Sequence, residues 1–475
     1  MIRALFLLLL GALSATGLQA QEVWSLQRCI QYARQNSLTL QQADYAIRNA
    51  QLTADQVVQN RYPNLNGSVS GGVQLGRTID PTTNEFDNQT IGFSSLGLNV
   101  GWTLYNGGRI NNTIKQAGLD VNVAKTDAEA AYNDIALAIA NAYLNVLLGQ
   151  EQLVNAQARL TLTEQQLEQT EKLIRAGSLP ANARLEILAQ AARNQQTIVQ
   201  AENTVTLGYL DLKQLLELDP DYQMTLEVPE VVIPTNADPR GLRFAEIYSA
   251  ALGTQPQIRA NELRKESALI GVELARANQL PSLGLGAGLN SNWSSQGRTV
   301  LGFTTTQVPF TLFDPDGNPL NFTIPQQSPD FGKQGFFEQI EENFGQFINL
   351  RLSVPIYNNG QTQTAIDRAE LNILNLQVQA DQAKQQLKSN VMRAIADARA
   401  QQRNLSAAEA SLAAAEAAFR NAERRFELGA INTFDLTNAR QNFDSAEIDL
   451  TVAKYQYLFA LKIVDFYRGT TLQLN

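Results

Sequence analysis

Apolar and polar residues alternate at every second position in four short segments of the chain, as in strands whose two faces meet different surroundings. In one segment Leu98 and Val100 lie on the apolar face, whereas Asn99 lies on the polar face. Alternation over about 9–11 residues is typical of strands that cross a membrane with the apolar face toward lipid. A soluble antiparallel sheet packed on helices would alternate in the same way and remains an alternative. The segments span residues 65–75, 95–104, 283–290 and 348–356.

The number of these strands limits how they can be arranged. The smallest membrane barrels have about eight strands, and lipid does not tolerate open strand edges. Four strands from one chain therefore cannot close a barrel. If these strands cross a membrane, we expect several chains to share one barrel.

A second pattern repeats apolar residues at every seventh position and predicts long paired helices. Sustained seven-residue spacing indicates a supercoiled seam, and the small residues between the apolar ones allow close approach. The helix predicted from Gly107 to Ala176 would be about 105 Å long. Helices predicted at 25–60 and 178–218 could stack beside it, which favours an elongated coiled helical rod. The seam residues are Val146, Leu153, Leu160, Leu167 and Ile174, followed in a later helix by Ala398, Leu405, Leu412, Phe419 and Phe426.

The chain is internally duplicated. Leu104–Gly108 (LYNGG) returns 252 residues later as Ile356–Gly360 (IYNNG), and the same offset carries Gly177 onto Gly429. Each half therefore reads as a helix, two strands, a very long helix, a tight turn and a returning helix. We predict a first repeat at 21–218, a Pro-rich linker at 219–240, and a second repeat at 241–475 with a long external loop at about 291–346.

The first twenty residues have the pattern of a signal peptide. Arg3 precedes the apolar run Ala4–Leu13, and Leu18-Gln19-Ala20 forms an acceptable cleavage site. The mature chain is therefore expected outside the cytoplasm. Elsewhere we find no apolar stretch of 18 residues, so any membrane crossing is assigned to the strands.

Composition excludes several kinds of chemistry. The 475 residues include no histidine and one cysteine, Cys29, which removes imidazole chemistry, internal disulfides and cysteine zinc sites. The net charge of −9 argues against nucleic acid as a partner. We interpret Asp314–Pro319 as a turn and not a calcium loop, and Cys29 as a buried, inert thiol. No nucleophile–base pair is evident, so we predict no enzyme, no cofactor and no metal site.

The sequence resembles the outer membrane efflux protein family, the TolC type. The resemblance is carried by Tyr105–Arg109 and its repeat, by Ala142–Leu147 (AYLNVL), and by the surroundings of Gly177 and Gly429. It implies an α+β membrane protein that forms a homotrimer, with a twelve-stranded barrel in the lipid of the outer membrane. A coiled-coil helical tunnel would extend into the periplasm. Such a channel is the exit of an efflux or secretion system, joined to an inner-membrane pump through a periplasmic adaptor protein.

The resemblance also implies candidate site residues at the periplasmic tip. Asp435 matches one of two inward acidic positions of the family, Asn438 stands at the other, and Glu186 matches the acidic position of the first half. The alternative is that Asp435 only stabilises a helix start capped by Asn432. Glu186 would likewise stabilise the start of its own helix, or pair with Arg184 or Arg440. The predicted adaptor contacts are Gly177, Ser178, Gly429 and Ala430.

A periplasmic adaptor or scaffold built on a coiled-coil hairpin is the alternative function. Such a protein would carry one helical hairpin and soluble β domains, whereas this chain repeats its hairpin. The duplication therefore favours the channel. The sequence leaves the cargo open among drugs, metals and secreted proteins.

Overall fold

The computed structural model describes residues 23–79, 84, 86–87, 90–228, 241–313, 315–431 and 433–470. The predicted signal peptide lies outside these residues, as does the later part of the predicted linker. The described chain divides into two compact units. The described parts of residues 1–51, 118–267 and 372–475 form unit 1, and the described parts of residues 52–117 and 268–371 form unit 2.

The two long helices contain all the seam residues predicted from the seven-residue spacing. They have 67 residues each, which corresponds to about 100 Å of helix. Within the described residues, none of the helices has an apolar stretch long enough to cross a lipid bilayer. The helices are α1 (Leu26–Asn36), α2 (Leu38–Gln59), α3 (Arg109–Arg175), α4 (Ala183–Leu215), α5 (Phe244–Thr254), α6 (Pro256–Arg276), α7 (Phe336–Glu342), α8 (Gln361–Glu427) and α9 (Thr433–Tyr467).

In unit 1, α3 and α4 form an antiparallel hairpin in which small residues of one helix receive side chains of the other. A Cβ added at Gly149 would lie 3.3 Å from Val205 Cγ2, and one added at Gly208 would lie 3.1 Å from Val146 Cγ2. Thr163, buried in the seam, accepts a hydrogen bond of 2.8 Å from the side-chain amide of Asn194. The close approach predicted from the small residues of α3 is confirmed.

The second hairpin, α8 with α9, repeats this arrangement with larger side chains. Leu405 packs with Ala453 and Tyr457 in a buried cluster, and Phe419 stacks on Phe443 with ring centroids 5.7 Å apart. The seam opens toward its end, where Phe426 is 39% exposed. Packing is therefore tight along most of the hairpin and looser near the turn.

The duplication extends to the places where helices break. The helix predicted at 25–60 is two helices, because Ser37 takes an extended conformation (φ −61°, ψ 126°) between α1 and α2. Gln255 takes the same conformation (φ −78°, ψ 121°) between α5 and α6. The two breaks are 218 residues apart, which is also the spacing of Pro63 and Pro281.

In the core of unit 1, the first described residues pair with the first part of the predicted linker. Strand β1 (Val23–Trp24) pairs in parallel with β6 (Thr225–Leu226). The hydroxyl of Tyr143 lies 3.1 Å from the carbonyl oxygen of Trp24 and 2.5 Å from that of Glu227. The linker expected at 219–240 therefore begins as an ordered part of the core.

Cys29 lies in this core and is fully buried. Burial raises the pKa of its thiol to about 12, because the thiolate would lose its hydration. A thiol that stays protonated is a poor nucleophile. The predicted burial of this thiol is confirmed.

Unit 2 contains a four-stranded antiparallel sheet in the order β10-β7-β5-β2. All four predicted strands are present, although the last ends before Val354 and Ile356, which sequence alternation had included. The strands are β2 (Asn64–Gln74), β5 (Ile91–Asn106), β7 (Ser282–Ser294) and β10 (Gly345–Ser353), and a two-stranded ribbon, β3 (Thr78–Ile79) with β4 (Phe86–Asp87), lies between β2 and β5 in the sequence.

The register aligns the apolar positions of all four strands on one face of the sheet. Leu98 pairs with Leu289 and Val100 pairs with Leu65, and directly paired residues of antiparallel strands point to the same side. Many of these apolar side chains remain exposed in the single chain. A soluble sheet covered by helices would bury them, so that alternative does not describe unit 2. The exposed apolar residues of this face include Leu65, Val69, Val73, Leu98, Leu289, Ile348, Leu350 and Leu352.

The segment predicted as a long loop at 291–346 carries regular structure. Strands β8 (Arg298–Phe313) and β9 (Pro319–Lys333) form a hairpin, and α7 follows it. The buried side chain of Gln339 in α7 closes the base of this hairpin. Its amide nitrogen donates to the carbonyl oxygens of Ser294 and Gln334, both at 3.0 Å, and its oxygen accepts from the backbone N–H of Ser294 at 2.9 Å.

Candidate functional site

The first helix tip is a glycine-terminated turn at the end of α3. Gly177 has φ +75°, a left-handed conformation that costs a residue with a Cβ about 1–2 kcal/mol. Its backbone N–H donates to the carbonyl oxygen of Ile174 (3.0 Å), and the N–H of Ser178 donates to that of Leu173 (2.9 Å). This pair of bonds is the Schellman motif, which ends a helix sharply.

The second tip repeats the motif atom for atom. Gly429 has φ +70°, its N–H donates to Phe426 (2.9 Å), and the N–H of Ala430 donates to Arg425 (2.8 Å). Nothing lies within 4 Å of a Cβ placed on either glycine. The glycines are therefore required by backbone conformation and not by close packing. The tip residues Gly177, Ser178, Gly429 and Ala430 are all exposed.

The predicted acidic residues occupy the first turns of the returning helices. Glu186 lies in the first turn of α4 and Asp435 in the first turn of α9, and both side chains are exposed. The duplication pairs Glu186 with Asn438 and Asp435 with Ala183, so each tip carries one acid at a different position. Both acids also lie where a helix N-terminus favours negative charge.

Arg440 and Asn432 are the residues on which the alternative roles of Glu186 and Asp435 depend. Arg440, considered above as a partner of Glu186, forms a salt bridge with Asp444 (2.8 Å) and covers the ring of Phe419 at 5.2 Å. It is therefore engaged within its own hairpin. Asn432, the candidate cap of α9, lies outside the described residues.

A polar network centred on α6 was not anticipated from the sequence. Arg264 forms a salt bridge with Asp127 of α3 (2.5 Å), and Glu262 forms one with Lys384 of α8 (3.0 Å). The hydrogen bond that Lys384 donates to Glu262, together with the charge of that carboxylate, raises the pKa of Lys384. One helix thus contacts both long helices through charged side chains. The partners are more than a hundred residues apart, so no local spacing reveals them.

The comparisons with known proteins agree with this architecture. The family model described as "Outer membrane efflux protein" matches residues 29–217 and 247–469, which correspond to the two halves of the duplication. Among curated relatives, the cation efflux system protein CusC of Escherichia coli K12 is 25% identical over 389 residues, covering 78% of this chain and 69% of CusC. The outer membrane protein TolC of Vibrio cholerae is 22% identical over 376 residues, covering 77% of this chain and 74% of TolC.

Solved structures share the fold. A crystal structure of CusC superposes with a TM-score of 0.72 at 18% identity and covers 96% of each chain. The outer membrane protein VceC of Vibrio cholerae superposes with a TM-score of 0.71 at 18% identity, covering 94% of this chain and 97% of VceC.

We expect Gly177→Ala to loosen the first tip without affecting the rest of the hairpin. The left-handed φ would cost the new Cβ about 1–2 kcal/mol, although space for it is available. Hydrogen exchange of the tip amides should report a free energy of local opening that is lower by this amount. Gly118→Ala, in the exposed interior of α3, is the matched control and should stabilise by up to about 1 kcal/mol. Unchanged exchange at the tip in Gly177→Ala would contradict the role given to this glycine.

Proposed function

The chain belongs to the outer membrane efflux protein family, and from that membership we propose that three copies assemble into one exit channel. The protein is an outer membrane channel of the efflux and secretion type, with a helical tunnel in the periplasm. The proposal adds the partners: a periplasmic adaptor protein that holds the tips, and an inner-membrane pump that delivers cargo. We assign the channel no catalytic step.

The open edges of the four-stranded sheet are the observation that carries this proposal. Strands β2 and β10 lie at the two edges, so each has a row of backbone groups without a neighbour in its own sheet. Such groups must be paired within lipid. Three copies would join β2 of one chain to β10 of the next and supply twelve strands, enough for a membrane barrel.

The lumen proposed for this barrel is polar and, apart from Arg351, uncharged. The face opposite the apolar residues carries mainly asparagine, serine, threonine and glycine, and the four strands contain no histidine, cysteine or methionine. These missing residues are the softer ligands that bind transition metals. We infer that the barrel does not coordinate transition metals, and that the pump determines what the cargo is.

A periplasmic adaptor is a poorer description of this chain. The molecule carries two helical hairpins and a sheet whose apolar face is exposed, whereas an adaptor needs one hairpin and soluble β domains. The tips are more suitable as adaptor contacts than as parts of an adaptor. We therefore propose that Gly177, Ser178, Gly429 and Ala430 form the surface on which the adaptor docks.

We further propose that Asp435 and Glu186 form an acidic aperture at the tip, with the neutral Asn438 beside them. In a trimer, three copies of each carboxylate would surround the same opening. At a separation of about 8 Å, two carboxylates repel by about 0.5 kcal/mol in water, which is too little to disturb helix packing. The same charges concentrate cations at a narrow mouth.

The aperture is tested with Asp435→Asn in planar lipid bilayers. Removing three charges should lower cation selectivity and weaken block by multivalent cations, with little change in stability. Asp444→Asn removes a half-buried acid of the same helix that pairs with Arg440, and should leave selectivity unchanged. If Asp435→Asn instead lowers stability by about 1 kcal/mol and selectivity stays the same, Asp435 serves only the helix start.

The membrane face is tested by placing arginine at adjacent positions of β5. Leu98 lies on the apolar face beside Leu289, whereas Asn99 lies on the polar face opposite Asn66 and Gly288. An arginine near the bilayer midplane costs roughly 2–4 kcal/mol on the lipid side. Leu98→Arg should therefore reduce the yield of assembled protein in the outer membrane far more than Asn99→Arg. Equal yields from the two variants would contradict the assignment of the faces.

A further inference from the structure

The four strands of the sheet contain a single formally charged side chain, that of Arg351. Strands β2, β5 and β7 contain no lysine, arginine, aspartate or glutamate. Arg351 lies near the end of β10, between the apolar residues Leu350 and Leu352. An isolated charge in a sheet otherwise free of charge is expensive in lipid, so its position needs an explanation.

The register places Arg351 on the polar face. It pairs with Gly284, two residues along the strand from the pair Asn349–Gly286. The side chain of Asn349 covers Gly286 so closely that a Cβ there would collide with it. Phe347 covers Gly288 in the same way, at 2.6 Å from a Cβ placed there. Arg351 therefore belongs to a row of side chains that stands opposite the apolar face.

Arg351 differs from the other members of this row in leaving its glycine uncovered. A Cβ placed on Gly284 would have only the backbone oxygen of Trp102 within 4 Å, at 3.8 Å. The arginine side chain is exposed. Its guanidinium group is thus free of packing against Gly284 and accessible from the polar side.

Neither the sheet that contains Arg351 nor the β2 strand expected beside it in the next copy supplies a carboxylate that could pair with this arginine. Strand β10 is an edge strand, and the assembly proposed above joins it to β2 of another copy. The segment from Arg61 to Ile79, which contains β2, includes no aspartate or glutamate. The positive charge would therefore remain uncompensated by strand residues after assembly.

We propose that three copies of Arg351 form a positively charged ring in the barrel lumen, which binds the carboxylate or phosphate groups of anionic solutes. The proposal rests on the trimeric barrel described above. Guanidinium groups suit this role because their forked donors match planar carboxylates and phosphates and keep their charge at any physiological pH. The ring lies at the end of the sheet where β10 leads toward α8.

The test measures block of single channels in planar bilayers by hexacyanoferrate(III), a trivalent anion, added to the side on which the barrel opens. Arg351→Gln should raise the half-blocking concentration about tenfold, because three guanidinium charges attract the anion through water and salt. Arg351→Lys should keep the block. Asn66→Gln, a neutral change on the polar face of β2, is the matched control and should behave as the unmodified protein does.

A cysteine variant tests whether residue 351 faces the aqueous lumen in channels that have already assembled. Because Cys29 is buried and its pKa is raised to about 12, Arg351→Cys adds the one reactive thiol among the described residues. Labelling Arg351→Cys channels with a positively charged methanethiosulfonate reagent should restore their block by hexacyanoferrate(III). Labelling them with a negatively charged reagent should abolish any block that the unlabelled variant still shows.

The possible failures are distinguishable. Absence of any conducting pore from the unmodified protein would overturn the proposed function itself. Conducting pores whose block is the same with arginine and glutamine at position 351 would overturn the ring alone. Pores in which the cysteine does not react from the aqueous side would place residue 351 against lipid headgroups and also overturn it.

Discussion

The requirement that every backbone hydrogen-bonding group in lipid be paired governs this molecule. A helix meets that requirement alone, but a four-stranded sheet leaves β2 and β10 with open edges. The apolar face formed by residues such as Leu98 and Ile348 directs the sheet toward lipid, where those edges cannot remain open. Oligomerisation thus follows from backbone chemistry. The polar face becomes the lining of the channel as a consequence of the same closure.

The helical part depends on close approach and on sharp ends. Gly149 and Gly208 let α3 and α4 approach each other, and the left-handed glycines at 177 and 429 turn each hairpin. The two halves differ in sequence at the turn before each long helix, where only one of them has room for a side chain. Asn359 takes the left-handed conformation that Gly107 has in the first half (φ +55° and +66°). A Cβ at Gly107 would lie 2.8 Å from the oxygen of Ala277, so only the second copy of the turn accepts a side chain.

The sequence predicted the elements whose pattern is local. Period-two alternation located the four strands, seven-residue spacing located α3 and α8, and the glycines marked the tips. It missed features that depend on distant partners, such as the pairing of β6 with β1 and the contact of Arg264 with Asp127. A loop was expected in place of the β8–β9 hairpin because of the length and the Phe, Gly and Pro content of the segment, although Val308, Phe310 and Leu312 alternate along β8 and pair with Ile324, Phe322 and Leu320 of β9. At the candidate site, the helix-start positions of Glu186 and Asp435 were predictable. The pair of Arg440 with Asp444 also follows a local spacing, that of residues i and i+4 on a helix, although Arg440 was considered only as a partner of Glu186.

The central claim is that copies of the chain close one another's sheets, and native mass spectrometry of the detergent-solubilised protein tests it most directly. A single species with the mass of three chains, retained after the detergent is stripped from it in the gas phase, is the result that this account predicts. A monodisperse single chain, or a protein that stays in solution without detergent, would contradict it, because the edges of β2 and β10 and the apolar face between them would then need no partner.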